Sequence, residues 1–350
     1  MKITCRLSSG AAAAASQSPM QNVFMKPKAI LSLVCSSLLI IPRFVSAADS
    51  LTPGHPMEVI GTQGKFDFIK IDSVNHRLLA CHTGNGSLDV IDDITSKLIK
   101  SIPIGNAQGI AIDSKNNRYF VSVSKPTKMV IVDSTKLDVI GEVVLPGPAD
   151  LIAYHSETNR VFVCNDNKPE MWVIDPMEKK VVSTISFPGG GMEDLGFDSR
   201  DTFLFQCLKD SNELAKLDLK TEKIVAKWST SPVDQPHGMA MVPGADQVLI
   251  VGGMGKLGLF NLSTGQIMGT TEVSPKVDEI AFDPALHRVY CASGLGTISV
   301  VGLNQQSLAP LSSLTSSLGA HSIAVDSQTH TVWIAFAKKD KAYVQAFTTK

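Results

Sequence analysis

Seven times along this 350-residue chain, a short apolar stretch, ending in Asp in five of the seven, gives way to a polar turn and then a β-rich run. The clearest copy is AYHSETNRVFVCNDNKPEMWVIDPMEKKVVSTISFPGG, from Ala153 to Gly190. Others open at Ile69 (IKIDSVNHRLLACHTG), Ile110 (IAIDSKNNRYFVSV), Leu195 (LGFDSRDTFLFQC), Met239 (MAMVPGADQVLIVGG), Ile280 (IAFDPALHRVYCASG) and Ile323 (IAVDSQTHTVWIAF). One register position is held by Asp72, Asp113, His155, Asp198, Val242, Asp283 and Asp326, at steps of 41, 42, 43, 44, 41 and 43 residues. Each unit contains four short runs rich in Val, Ile, Phe and Tyr, separated by Gly, Pro, Asn, Asp and Lys, which read as strands and turns. Four strands per unit at this period specify a β-propeller. Seven units predict an all-β, seven-bladed propeller with four-stranded blades. No sustained helical period argues for a parallel βαβ fold instead. Aromatic residues make up only 6% of the chain, so the core is expected to be built from Val, Ile, Leu and Ala.

The ends predict how the ring closes. The run from Ala342 to Phe347 matches the third strand of a unit, and no fourth follows it. Near the other end, Met57–Gly61 is similar to fourth-strand stretches such as Leu137–Gly141. The N-terminal strand should therefore complete the last blade, which removes an exposed sheet edge.

The runs NRVFVCN (from Asn159), HRVYCAS (from His287) and NRYFVSV (from Asn117) carry a further resemblance. So do MWVID (from Met171) and VVSTISFPGG (from Val181), which follow the first of them. Together they resemble the YVTN-type β-propeller repeats of bacterial, periplasmic YncE-like proteins, over roughly residues 57–347. The resemblance implies a propeller that serves as a binding and scaffolding platform, and it implies no particular activity. A fold with many uses does not name a use.

Residues 1–47 differ from the rest. They hold Lys2, Arg6, Lys26, Lys28 and Arg43, and no acid. Within them Met25-Lys-Pro-Lys precedes the apolar run Ala29–Ile41, then Val45-Ser46-Ala47. A basic start, a short apolar stretch and a small-x-small site form a secretory signal peptide. The run is shorter than the ~20 residues of a spanning helix. A retained membrane anchor is the competing reading. The expectation is cleavage after Ala47, leaving residues 48–350 as one propeller domain, periplasmic or secreted, without a membrane span and monomeric. Residues 1–24 read as an extension ahead of a second possible start at Met25. The loss of five basic residues leaves 27 basic against 33 acidic side chains, a net of −6. Nucleic-acid binders usually carry a basic footprint, so this balance argues against such a partner.

In a propeller the first strand of each blade lines the central channel. The residue five before the register position is Asp67, Gln108, Asp150, Glu193, His237, Asp278 and His321 in the seven units. All are polar, with Asp194 and Glu279 one place further on. Equivalent positions around a ring converge in space, so these seven are the candidate ligand-binding residues. His237, Asp278 and His321 combine two imidazoles with a carboxylate, a set that suits a divalent transition metal. Converging carboxylates can also supply a general base. The competing reading is structural, with polar groups bonded to loop amides and channel water. In the family resembled, a His within Pro236-His237-Gly238 implies no metal.

The loops between second and third strands should share that face. They carry Lys125, Lys128, Lys168, Lys209, Lys256, Lys338, Lys339 and Lys341 against Asp166, Glu170, Asp210 and Asp340. Such a rim would draw an anionic or zwitterionic ligand or an acidic protein surface, or serve only as solubilising surface. Cys81, Cys164, Cys207 and Cys291 are expected as buried thiols, because Cys164 and Cys207, the only pair in adjacent blades, are one residue out of register. Trp172, Trp228 and Trp333 read as packing residues. His82 is expected at the surface near a strand end, and Gly189–Gly191 as turn residues. No nucleophile elbow, HExxH, CxxC or dinucleotide fingerprint occurs. Three functions remain open. The first is an exported binding or scaffold protein that takes a small polar molecule or a periplasmic protein at the channel mouth, with no cofactor. The second is a metal-dependent hydrolase or lactonase centred in the channel, and the third is the propeller subunit of a periplasmic oxidoreductase.

Overall fold

The computed structural model describes residues 51–349. The proposed signal peptide and its cleavage site lie outside them. The described chain is all β, in seven blades whose strands run outward from the channel in sequence order. Blade 3 is representative, with strands Ala149–His155, Arg160–Asn165, Glu170–Asp175 and Lys180–Ser186. Each first strand packs against the first strands of both neighbouring blades, and the seventh (Ser322–Asp326) meets the first (Ile69–Asp72), so the ring is closed.

The repeated Asp explains why the period is held. Asp113 Oδ1 accepts the Asn116 backbone N–H at 3.2 Å, and Oδ2 accepts Asn116 Nδ2 at 2.9 Å. Asp72 does the same with Asn75. Each such turn then passes through a left-handed residue, among them His76, Asn117, Asn159 and His330. A short side chain that bonds its own backbone fixes a tight turn without help from elsewhere. A second set, Asp92, Asp133, Asp175 and Asp218, caps the turn between third and fourth strands.

Seven apolar clusters fill the seven blade interfaces. Second strands are buried on both faces, and their side chains alternate between two interfaces. Leu79 and Cys81 face blade 2, while Leu78 and Ala80 face blade 7. That alternation also separates the thiols. Cys164 lies in the cluster between blades 3 and 4 and Cys207 in that between blades 4 and 5; all four described cysteines are free and buried. The core is aliphatic with an amendment: the few aromatics concentrate in it. Trp172, Trp333, Tyr119, Tyr290 and Phe120 are among its largest fully buried side chains. Trp228 stacks on Phe205, so all three tryptophans pack.

Ring closure is as expected, with an earlier start. Leu51–Pro53 and Met57–Glu58 both pair with the C-terminal strand Lys341–Thr349. The expected strand Met57–Gly61 is thus cut to two residues and supplemented from upstream. Pro53 and Pro56 carry no N–H, so the edge strand is interrupted between its two pieces.

Candidate functional site

Five first strands carry a β-bulge at the same place. Pairing skips from Ala107 to Ile110, Ala149 to Ile152, Met192 to Leu195, Pro236 to Met239 and Val277 to Ile280. A bulge sets two residues against one and re-aims their side chains. Its first residue is Gln108, Asp150, Glu193, His237 or Asp278, which accounts for these side chains leaving the blade interfaces for the channel mouth. Asp67 and His321 precede the first strands of blades 1 and 7.

In blades 4 and 6 the second bulge residue ties the blade to the next, and serines make such a tie elsewhere. Asp194 Oδ2 accepts the Met239 N–H at 2.9 Å, and Glu279 Oε2 accepts the Ile323 N–H at 3.1 Å. Ser122 and Ser322 donate to the carbonyls of Asp150 and Asp67. In blade 5 that position is Gly238, where a Cβ would stand 2.7 Å from the Asp278 carbonyl oxygen. The glycine of Pro236-His237-Gly238 therefore gives blade 6 room to approach.

All seven candidate residues line one of two adjoining hollows. A central hollow of about 250 Å³ is lined by Asp67, Gln108, Asp150, Glu193, His237 and Asp278, together with Asp166, Asp194, Glu279 and Lys209. A side groove of about 610 Å³ over blades 4–7 is lined by His237, Asp278 and His321, together with Lys209, Asp210, Asn212, Gln235 and Lys276. Lys209, His237 and Asp278 border both.

The charges are ordered. Asp278 holds His237 Nδ1 at 2.8 Å and His321 Nδ1 at 2.7 Å, one on each oxygen. His237 Nδ1 is also 3.3 Å from Glu193 Oε2, whose other oxygen pairs with Lys209. Burial opposes ionisation of Asp278, but the two imidazoles outweigh it and hold its carboxyl far below the usual range. Burial likewise lowers His237, yet Asp278 and Glu193 prevail and raise it; the Asp278 contact raises His321 against burial.

Across the hollow the balance reverses. Burial, then the field of Asp278, pushes the Asp67 carboxyl up to about 6, against the pull of His321 and Lys65. Burial and the neighbouring Asp67 and Glu193 push Asp150 up as well. Buried Asp194 is raised to about 6 despite two backbone N–H donors. Lys70 touches channel water, but the surrounding protein lowers its ammonium while Asp194 and Glu279 pull it back up. The mouth is a line of alternating charge on one side and crowded carboxylates on the other.

His237, Asp278 and His321 do meet, but as an ion-paired triad. Both Nδ1 atoms lie against Asp278 itself. Among the described residues, no three His, Cys, Asp or Glu side chains are disposed to hold a metal ion.

Of the two readings of the lysine rim, solubilising surface and ligand attraction, the structure bears against the second, a correction to it. Lys128 pairs with Glu142 at 2.7 Å, Lys341 with Glu58 at 2.8 Å, and Lys256 with Glu272. These partners sit on outer strands, away from the mouth, and of the eight lysines only Lys209 lines a hollow. His82 is a correction too. It is fully buried, stacked on Phe66, with Nδ1 2.6 Å from Asp89 Oδ2 and Nε2 3.1 Å from the Gly64 carbonyl oxygen. Both ring nitrogens are occupied in a polar knot inside blade 1. Gly189–Gly191 have positive φ, as expected, and pack on Ser211 and Asp210.

Sequence reasoning missed Gln235, Lys276 and Asn212. Gln235 and Lys276 stand two places before a ring residue, as Lys65 does, so the register contained the signal. All three groove residues adopt positive φ, a backbone state that the sequence does not announce.

No family model matches the chain, and no curated protein matches it. Solved structures match its fold. The chain is similar to Kuenenia stuttgartiensis hydrazine synthase, with a TM-score of 0.69 and 13% identity over 82% of this chain and 98% of that one. It is also similar to the WD40 repeats of RRP9, at 0.75 and 9% over 86% and 100%, and to U3-55K, at 0.73 and 9% over 85% and 100%. At these identities the likeness shows a propeller fold alone.

Proposed function

We propose that this chain is an exported, periplasmic propeller of the YVTN-type, YncE-like family that binds a small polar ligand, or a polar segment of a partner, at the channel mouth. The observation that carries the reading is the bulge series. Five separate strands spend an extra residue at one height, and what they bring together is polar and incompletely satisfied. Water at a purely structural funnel does not require carboxylates held against their ionisation, as Asp67 and Asp150 are. Concave sites with a few convergent polar groups and shifted pKa values are where ligands bind. Among the described residues no helix is long and apolar enough to cross a membrane.

The test is calorimetric titration of protein recovered from the periplasm of cells expressing the full chain, using a panel of polar small molecules. Intact mass reads cleavage after Ala47 in the same sample. We expect saturable binding that His321→Ala and Asp278→Asn abolish. Binding that is indifferent to both, or none across the panel, overturns the reading. The second reading, a metal-assisted hydrolase, requires the two imidazoles to leave Asp278 for a metal ion. One metal ion per chain by elemental mass spectrometry, removed by His237→Ala and by His321→Ala, with turnover of esters or lactones, would establish it instead.

A further inference from the structure

The two hollows differ in charge. Seven carboxylates line the central hollow against one lysine and one imidazole. The side groove has Lys209, Lys276, His237 and His321 against Asp210 and Asp278, with amides from Asn212 and Gln235. We infer that the two together take one amino-acid-like zwitterion, its cationic group in the central hollow and its anionic group in the side groove. This rests on the channel mouth being a ligand site.

Three observations carry the assignment. The first is what remains unpaired. Glu279 is nine-tenths buried and lines the hollow; Oε2 accepts the Ile323 N–H, and Oε1 takes no hydrogen bond among the described residues. Asp67 and Asp150 accept none on their carboxylates either. Acceptors at the hollow that no protein donor reaches are open to the donors of a ligand. An ammonium supplies up to three donors and the missing charge at once.

The second is how the bordering groups are used. His237 and His321 commit Nδ1 to Asp278. Their Nε2 edges have no partner among the described residues, and both rings line the groove. An imidazole whose Nδ1–H is held by a carboxylate and whose ring is protonated presents Nε2–H as a charge-assisted donor. Lys276 has no ion-pair partner there either. A carboxylate in the groove faces both Nε2 edges and the Lys276 ammonium.

The third is spacing and size. The hollows share Lys209, His237 and Asp278, so one molecule can reach from one into the other across those side chains. Opposite charges so placed belong to a small molecule. About 250 Å³ is roughly eight waters' share of liquid volume, room for an amino or methylated amino group on a short chain.

Calorimetry on the full-chain protein tests this with glycine, β-alanine and 4-aminobutyrate as zwitterions of rising length. Propionate, propylamine and glycerol serve as the anion, the cation and the neutral control. At least one zwitterion should bind ten-fold or more tightly than either single charge. Asp150→Asn should erase the advantage over propionate, and Lys276→Ala the advantage over propylamine, with melting temperatures of both variants monitoring the fold. Propylamine or propionate binding as tightly as every zwitterion overturns the inference, as does glycerol binding alone, and either result leaves the mouth a ligand site. Silence from all three zwitterions also overturns it. Only silence from the wider polar panel as well removes the site.

Discussion

The turn end and the mouth end of the ring of first strands have opposite fates for the same side chain. Asp113 and Asp326 mark the turn end in blades 2 and 7; Asp67 and Asp150 mark the mouth end in blades 1 and 3. Burial disfavours the ionised form at both ends. At the turn, Asn116 and Arg118 overcome it for Asp113, and Thr329, Gln328 and Ser73 do so for Asp326, so both carboxyls are held low. At the mouth His321 and Lys65 offset burial only in part for Asp67, and only neighbouring carboxylates act on Asp150, so both are held high. A carboxylate answered by its own turn is structural. One left unanswered by five bulged strands and their neighbours is waiting for a partner from outside.

The largest effect that separates the ends should come from Asp113→Ala. It removes Oδ2, the one acceptor of a 2.6 Å and a 3.0 Å bond from Arg118, which is only 8% exposed, and unties Asn116. Stranding a buried guanidinium beside a broken turn should cost about 2–4 kcal/mol in urea unfolding, with ligand affinity unchanged in the fraction that stays folded. A loss below about 0.5 kcal/mol would mean the turn end is not held by its carboxylate, and the contrast fails.

Asp278→Asn comes next, at about 1–2 kcal/mol, because the triad is only half buried and water screens it. Asp278 has a depressed pKa, so its stabilisation is present above the usual carboxylate value and lost as pH falls through the folded one. His237 and His321 are raised, so theirs is complete below the usual imidazole value and fades as pH rises through the folded values. The wild-type advantage over Asp278→Asn should thus be greatest near pH 5–6 and shrink toward pH 8. An advantage that instead grows toward pH 8 would mean the imidazoles are not charged partners.

Asp67→Asn should act in the opposite sense. A carboxyl raised from 3.8 to about 6 binds its proton more tightly in the folded ring, so wild-type stability falls as pH climbs from 4 through 6. That shift amounts to ~3 kcal/mol, and contact with channel water reduces it to about 1 kcal/mol. The variant should be the more stable protein at pH 7.5 and equal at pH 4, by thermal melts at both. A variant less stable at pH 7.5 would place Asp67 among the structural carboxylates.

What was legible follows the same division. The turn Asp is visible because one residue type serves one local purpose at nearly every repeat, so period, blade count and ring closure could be read from it. The mouth residues were found by counting back from that Asp, not by their own pattern, since Asp, Gln, Glu and His share only polarity. The bulge was hidden because it depends on a pairing between strands, where Ala107 meets Val123 and Ile110 meets Val121. His82 was misplaced for a related reason. Its burial comes from Phe66 and Asp89, and no strand-end rule anticipates a stacked ring with both nitrogens engaged. Failure to decide between the two readings of the lysine rim arose because position in a loop says nothing about which outer-strand glutamate lies opposite.

That last failure gives the smallest prediction. Lys128 and Lys256 each reach across to an outer strand, to Glu142 and Glu272, and both acceptors are well exposed. Exposed pairs of this kind contribute about 0.2–1 kcal/mol and are screened by salt. Lys128→Ala and Lys256→Ala should each cost less than about 0.5 kcal/mol at 0.15 M salt and leave ligand affinity within two-fold, whereas Lys209→Ala should weaken binding strongly for the same change of charge. The three variants alter net charge equally, so a long-range field would treat them alike. Only Lys209 touches Glu193 and both hollows. Equal losses of affinity for all three would mean that the mouth attracts its ligand through the diffuse charge of the rim and not through the side chains that the bulges place there.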